Sequence, residues 1–184
     1  MRAVRSMSSV AEGLQDIIAG QLDVLFCGIN PGMTAAAQGH HFAGRGNRFW
    51  RTLHLAGFTP DELRPEDDHR ILQYRCGLTA VVDRPTARAD QLSQQEFKLA
   101  AAGFERKIER YAPRFVAFLG KAAYAGLSAR KDLAWGRQAA SFGHSQVWIL
   151  PNPSGRNLAF SQEQLVSAYR QLYLATLGEG DAVY

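Results

Sequence analysis

At 184 residues the chain has the length of one ordinary domain, enough to bury a sizeable core. Hydrophobic residues make up 46% of it, yet no apolar run approaches the roughly 20 residues needed to cross a bilayer, and Met1-Arg2-Ala3-Val4-Arg5 leads into no export-type stretch. A soluble, cytoplasmic protein without a membrane partner is expected, and a net charge of +4 with a pI near 9.3 favours an anionic one.

The first dozen residues read as a frayed end. Residues 23–28 form a buried strand that runs directly into Cys27-Gly28-Ile29-Asn30-Pro31-Gly32, a turn whose Gly and Pro suit close approach to a ligand. Helices are expected over 47–56 and 66–74, and a second strand over 77–83. A helix over 93–111 follows, opened by the capping-box pair Ser93 and Glu96. Then come a strand over 114–120, a helix over 121–127 and a strand over 145–151 that runs into Pro151-Asn152-Pro153-Ser154-Gly155-Arg156-Asn157. The last helix covers 161–177, and 178–184 reads as a second flexible end. Four nearly continuous apolar strands separated by helical lengths imply one three-layer α/β/α domain over residues 1–184, with a central four-stranded, mainly parallel sheet.

On such sheets ligands bind beyond the carboxyl ends of the strands, which singles out the loops at Asn30 and Asn152. A lone turn like 28–32 is more often a simple connector. Nucleotide loops fit badly: Gly28 and Gly32 match neither G-x-G-x-x-G nor G-x-x-x-x-G-K-[ST], and Gly120-Lys121 lacks the rest of the second pattern. Cys27 and Cys76 are too few for a thiolate cluster and read as reduced, buried thiols. His40, His41, His54, His69 and His144 form no metal-ligand pattern, which argues against a zinc deaminase. No metal and no cofactor is expected. Arg45, Arg48, Arg51, Arg84, Arg88, Lys121 and Arg156 lie near strand ends, placed to grip successive phosphates.

Gly28-Ile29-Asn30-Pro31-Gly32, Asn47-Arg48-Phe49-Trp50, Val82-Asp83-Arg84-Pro85-Thr86 and Pro151-Asn152-Pro153-Ser154-Gly155 together resemble, in order and rough spacing, the mismatch-specific uracil/thymine-DNA glycosylases, a branch of the uracil-DNA glycosylase superfamily. The resemblance covers about Gly13 to Leu177. It implies a monofunctional, monomeric enzyme of bacterial type, associated with DNA, that flips uracil from mispaired duplex and hydrolyses its bond to the sugar. Its partner would be double-stranded DNA with a mispaired or damaged base, and abasic-site repair enzymes would act downstream.

Carried onto this chain, the resemblance gives Asn30 the attacking water. Gly28, Ile29, Phe42 and Asn152 take the base, with the Phe42 ring stacked on it. Pro153, Ser154, Gly155, Arg156 and Asn157 form the DNA wedge, with Arg48 alongside. Asp83 is a second candidate for activating water, or else an ion-pair partner of a neighbouring arginine; Phe42 could equally be an ordinary core aromatic. The chain departs from the family in carrying Arg156 where a Leu is usual and Leu158 where an Arg is usual. Ala35 and Ala80 replace a hydroxyl and a Lys found in some members, so the opposite base and the damaged base are not fixed by the motifs. A binding domain without turnover and a small-molecule nucleoside hydrolase are the rival readings; the second would require more carboxylates than Asp83 alone.

Overall fold

Residues on alternate sides of each apolar strand are buried, so the sheet needs cover on both faces. The computed structural model describes residues 13–178, and among them are five strands: β1 Val24–Gly28, β2 Cys76–Ala80, β3 Phe115–Leu119, β4 Gly136–Phe142 and β5 Ser145–Leu150. They lie in the order β2-β1-β3-β5-β4, parallel except for β4, which runs antiparallel to β5. The helices are α1 Met33–Gln38, α2 Phe49–Ala56, α3 Gln94–Tyr111, α4 Lys121–Ser128 and α5 Gln162–Gly178.

One face carries Phe26, Ala117, Leu119, Trp148 and Leu150, packed with Phe49 and Leu53 of α2 and Leu165, Tyr169 and Leu172 of α5. The other carries Leu25, Cys27, Val116, Phe118, Val147 and Ile149 against Phe97, Phe104 and Ile108 of α3 and Tyr124 of α4. The expected three layers are present. Ser93 caps α3 as its sequence indicates, with the Glu96 amide donating to Ser93 Oγ and the Ser93 amide to Glu96 Oε2 at 2.8 Å. Ser161 and Gln164 make the same exchange ahead of α5.

The sheet has five strands where four were expected. The extra one, Gly-Arg-Gln-Ala-Ala-Ser-Phe, alternates half-buried and exposed positions because it is an edge strand, and it lacks the continuous hydrophobicity of its neighbours. Gly143, at φ +60°, turns it into β5 through the two-residue connection Gly143-His144. Residues 65–74 form a 3₁₀ helix kinked at Asp67 instead of an α-helix, and α1 was not foreseen. β2 stops at Ala80. Its ladder continues only through Val81 and Val82, whose amides donate to Gly28 O and Ile29 O, so Asp83 stands beyond the strand. The expected flexible ends at 1–12 and 178–184 fall, but for Gly178, outside the described residues.

Because β1, β3 and β5 are parallel, Gly28, Leu119 and Leu150 bring their following loops to one edge of the sheet. The Tyr169 hydroxyl, buried under that edge, donates to Pro151 O at 3.0 Å, and burial pushes the phenol up from its ordinary range. Tyr169→Phe removes the donor and leaves the carbonyl dry. Urea denaturation should show a loss of about 1–2 kcal/mol for that variant.

Candidate active site

Asn30 follows β1 and its side chain turns back into the protein. Nδ2 donates to Arg84 O and to Thr86 Oγ1, both at 2.8 Å. Both amide hydrogens are thereby used, and Oδ1, which can only accept, has no hydrogen-bond partner among the described residues. That oxygen is suited to hold a water. The neighbouring peptide groups are less free than the sequence implied: Gly28 O and Ile29 O accept from Val81 and Val82, and the Ile29 side chain is buried in the α3-side core. Cys27, just before the loop, is fully buried, and that burial pushes its thiol far above the ordinary range.

Phe42 adopts a left-handed backbone, φ +56°, which costs a bulky residue about 1 kcal/mol or more and persists only where neighbours impose it. The constraint comes from His41. Its amide donates to Asp68 Oδ2 at 2.9 Å, its ring meets Gln15 O at 2.8 Å, and its carbonyl accepts from Trp50 Nε1 at 3.1 Å. His40 also approaches Asp68, at 3.6 Å. His40 Nδ1 makes no hydrogen bond there, so His41 is the residue that braces the loop. The Phe42 ring stacks on Phe49 with centroids 3.9 Å apart and planes 22° apart, and remains half-buried. An aromatic ring backed on one face can take a flat base on the other.

The loop after β5 is bound to the segment before α2 by contacts that leave little freedom. Gly155 lies against Gly46 so closely that a Cβ there would stand 2.6 Å from Gly46 O. The Arg48 amide donates to Pro153 O at 2.9 Å. Its guanidinium donates to Phe160 O at 2.7 Å, Asn157 O at 2.8 Å and Ser154 O at 3.3 Å. Arg48 was expected at a phosphate; with both terminal nitrogens on carbonyls it is a clamp. Asn152 Oδ1 accepts from the Ser154 amide, and Asn157 Nδ2 returns to Asn152 O. Asn152 Nδ2 has no hydrogen-bond partner among the described residues and is an available donor.

Arg156 is exposed, and its guanidinium donates to Ala87 O at 3.0 Å, joining this loop to the 83–88 segment that holds Asn30. Leu158, at 91% exposure, lies in the chain between residues 157 and 160, whose carbonyls Arg48 grips. Of the other cations, Arg51 and Arg88 face Glu62 and Asp90 in pairs open enough to exchange for a phosphate, whereas Arg84 is held by both Glu96 oxygens and by Gln91 O. Lys121 sits over Trp135 at 4.7 Å, and Arg45 is exposed with no partner among the described residues. Contacts thus link Asn30, through the 83–88 segment and Arg156, to the 152–157 loop, and Arg48 links that loop to the start of α2, whose Phe49 backs Phe42. Among the described residues, no side-chain hydrogen bond or ion pair joins Asp83 to this group. Asp83 is exposed and lines a separate depression of about 430 Å³ with Gly13, Leu14, Asp16 and Lys107. Thr86 was given no role in the sequence, although it closes the Val-Asp-Arg-Pro-Thr segment. No group of three or more metal-ligating side chains occurs among the described residues, and no described helix is long and apolar enough to cross a membrane.

The sequence model of the family described as Uracil DNA glycosylase superfamily matches residues 16–177. The fold is similar to the solution NMR structure of a protein from Methanosarcina acetivorans that bears the provisional description of uracil DNA glycosylase. The TM-score is 0.62 at 20% sequence identity, over 89% of this chain and 98% of that one.

Arg48 provides the test of the clamp. Lysine keeps the charge but cannot fork to several carbonyls. Arg48→Lys should lower stability by about 2 kcal/mol in urea and open residues 153–160 to proteolysis, while leaving the salt slope of duplex binding unchanged.

Proposed function

Since the chain belongs to the uracil DNA glycosylase superfamily, we propose that it is a monofunctional, mismatch-directed DNA glycosylase that excises uracil from mispaired duplex by hydrolysis. The observation that carries this reading is the Asn30 amide, pinned through both hydrogens with its oxygen left open. A water accepted there is held for attack at the anomeric carbon, and the bond from that carbon to the base nitrogen breaks as the sugar passes through a cationic state. The base departs with the electron pair and takes up a proton released by the water. Phe42 supports the flipped base from one side, and Asn152 Nδ2 is the donor for an oxygen of the departing ring. Uracil paired with guanine is extracted more cheaply than a correctly paired base, which favours mispairs.

The test is a panel of end-labelled duplexes with uracil opposite guanine, uracil opposite adenine, thymine opposite guanine and an etheno adduct, together with single-stranded uracil DNA, all treated with alkali. Alkali-sensitive product should form with uracil opposite guanine, with or without EDTA. Binding with no product under single-turnover conditions would mark a domain without catalysis, and release of uracil from free deoxyuridine alone would mark a nucleoside hydrolase. Asn30→Ala should slow single-turnover excision about 100-fold, near 2.7 kcal/mol, with duplex affinity nearly unchanged. If Asp83→Asn is far more damaging in a folded protein, the carboxylate is the water-activating group and the assignment reverses.

The second loop divides into two tasks. Arg156 stands at the wedge position, where a planar cation can stack, meet a guanine or hold a phosphate, and Leu158 is the most exposed of its apolar neighbours. Arg156→Ala should weaken duplex and abasic-product binding and flatten the salt dependence. Arg156→Ala and Leu158→Ala should each reduce excision from duplex more than from single strand, since an unpaired base needs no wedge. Equal losses on both substrates would move these residues to general backbone binding.

A further inference from the structure

We infer that Thr86 is a positioning residue that fixes the Asn30 amide with its carbonyl oxygen outward, and that it makes position 30 a site for an amide and not for a carboxylate. The inference rests on the glycosylase reading for its consequence in catalysis, but its geometry stands independently. Asn30 Nδ2 faces Arg84 O at 2.8 Å, so the group there must be a donor. The second amide hydrogen goes to Thr86 Oγ1, also at 2.8 Å. That hydroxyl can accept it because its own proton is committed to Arg88 O at 2.8 Å. The chain of bonds has one polarity, from Asn30 through Thr86 to Arg88, and reversing any link would set two acceptors face to face.

The frame around this chain is rigid. Thr86 is 5% exposed, and its amide donates to Pro31 O at 3.1 Å, part of a parallel bridge between Gly32 and Thr86. The segment is tied to α3 through Arg84, whose guanidinium donates to both Glu96 oxygens and to Gln91 O. The hydrogen bonds from Arg84 and from the Ser93 amide hold the Glu96 carboxyl down at about 2, so this tie is charged at any physiological pH. A carboxylate at position 30 would meet Arg84 O and Thr86 Oγ1 with no hydrogen to offer either.

The experiment has one arm that needs no activity. In ¹⁵N-labelled protein the Asn30 side-chain NH₂ pair, assigned by its loss in Asn30→Ala, should be motionally restricted and slow to exchange. It should stay so in Thr86→Ser and become mobile in Thr86→Val. A freely rotating Asn30 amide in the unsubstituted protein overturns the inference whether or not the protein excises bases. In the second arm, Thr86→Val should lower the single-turnover excision rate about 10- to 100-fold with duplex affinity and melting temperature nearly unchanged, while Thr86→Ser stays within about threefold. Equal losses for Val and Ser, or none for Val, overturn it. Should Thr86→Val fail to fold, Asn30→Asp decides. It should lose at least as much activity as Asn30→Ala at neutral pH, whereas retained activity would mean that the pocket accepts a carboxylate. Absence of product from the unsubstituted protein on every substrate would sink the glycosylase reading and leave the first arm to decide the posture of Asn30.

Discussion

Much of the site depends on one guanidinium surrounded by carbonyls. Arg48 donates to residues 154, 157 and 160, and among the described residues it has no acidic partner; its Nε is buried without a hydrogen bond. Removing such a cation from water is costly, and carbonyl dipoles offset only part of it. The compensation is geometric. A planar fork fixes three points of one loop at once, which a more flexible cation cannot do. With Gly155 pressed on Gly46, the loop after β5 and the segment before α2 behave as one body.

A second body is built around the 83–88 segment. It takes its rigidity from α3 through Arg84 and Glu96, and passes it to Asn30 through a backbone carbonyl and a hydroxyl. The contact between Arg156 and Ala87 O is the bridge between the two bodies. Neutral and charge-assisted bonds are divided accordingly. The charged ones brace loops at their feet, while Asn30 is a neutral amide with both of its hydrogens in use.

The sequence was informative where a signal is local. Continuous apolar runs located β1, β2, β3 and β5, and the cap at Ser93 was readable from spacing. The ordered motifs gave the superfamily. β4 was not readable because Gly-Arg-Gln-Ala-Ala-Ser-Phe lacks the hydrophobic density of a central strand and is defined by pairing with β5. The role of Arg48 was hidden for a different reason: an arginine near a DNA-binding motif looks the same whether it faces phosphate or carbonyls, and its partners lie more than a hundred residues away. Asp83 illustrates the limit of arguing from a strand end. With β2 ending at Ala80, Asp83 stands three residues past the strand and lines a depression with Asp16 and Lys107, a placement set by tertiary packing.

Cys27 stands immediately before the site loop, and its burial has a chemical consequence. Thiolate is the form that reacts with peroxides, nitrosating agents and alkylators, and a fully buried thiol pushed far up its titration range supplies almost none of it. The buried thiol of Cys27, three positions before Asn30 in the chain, is therefore kept in its unreactive protonated form.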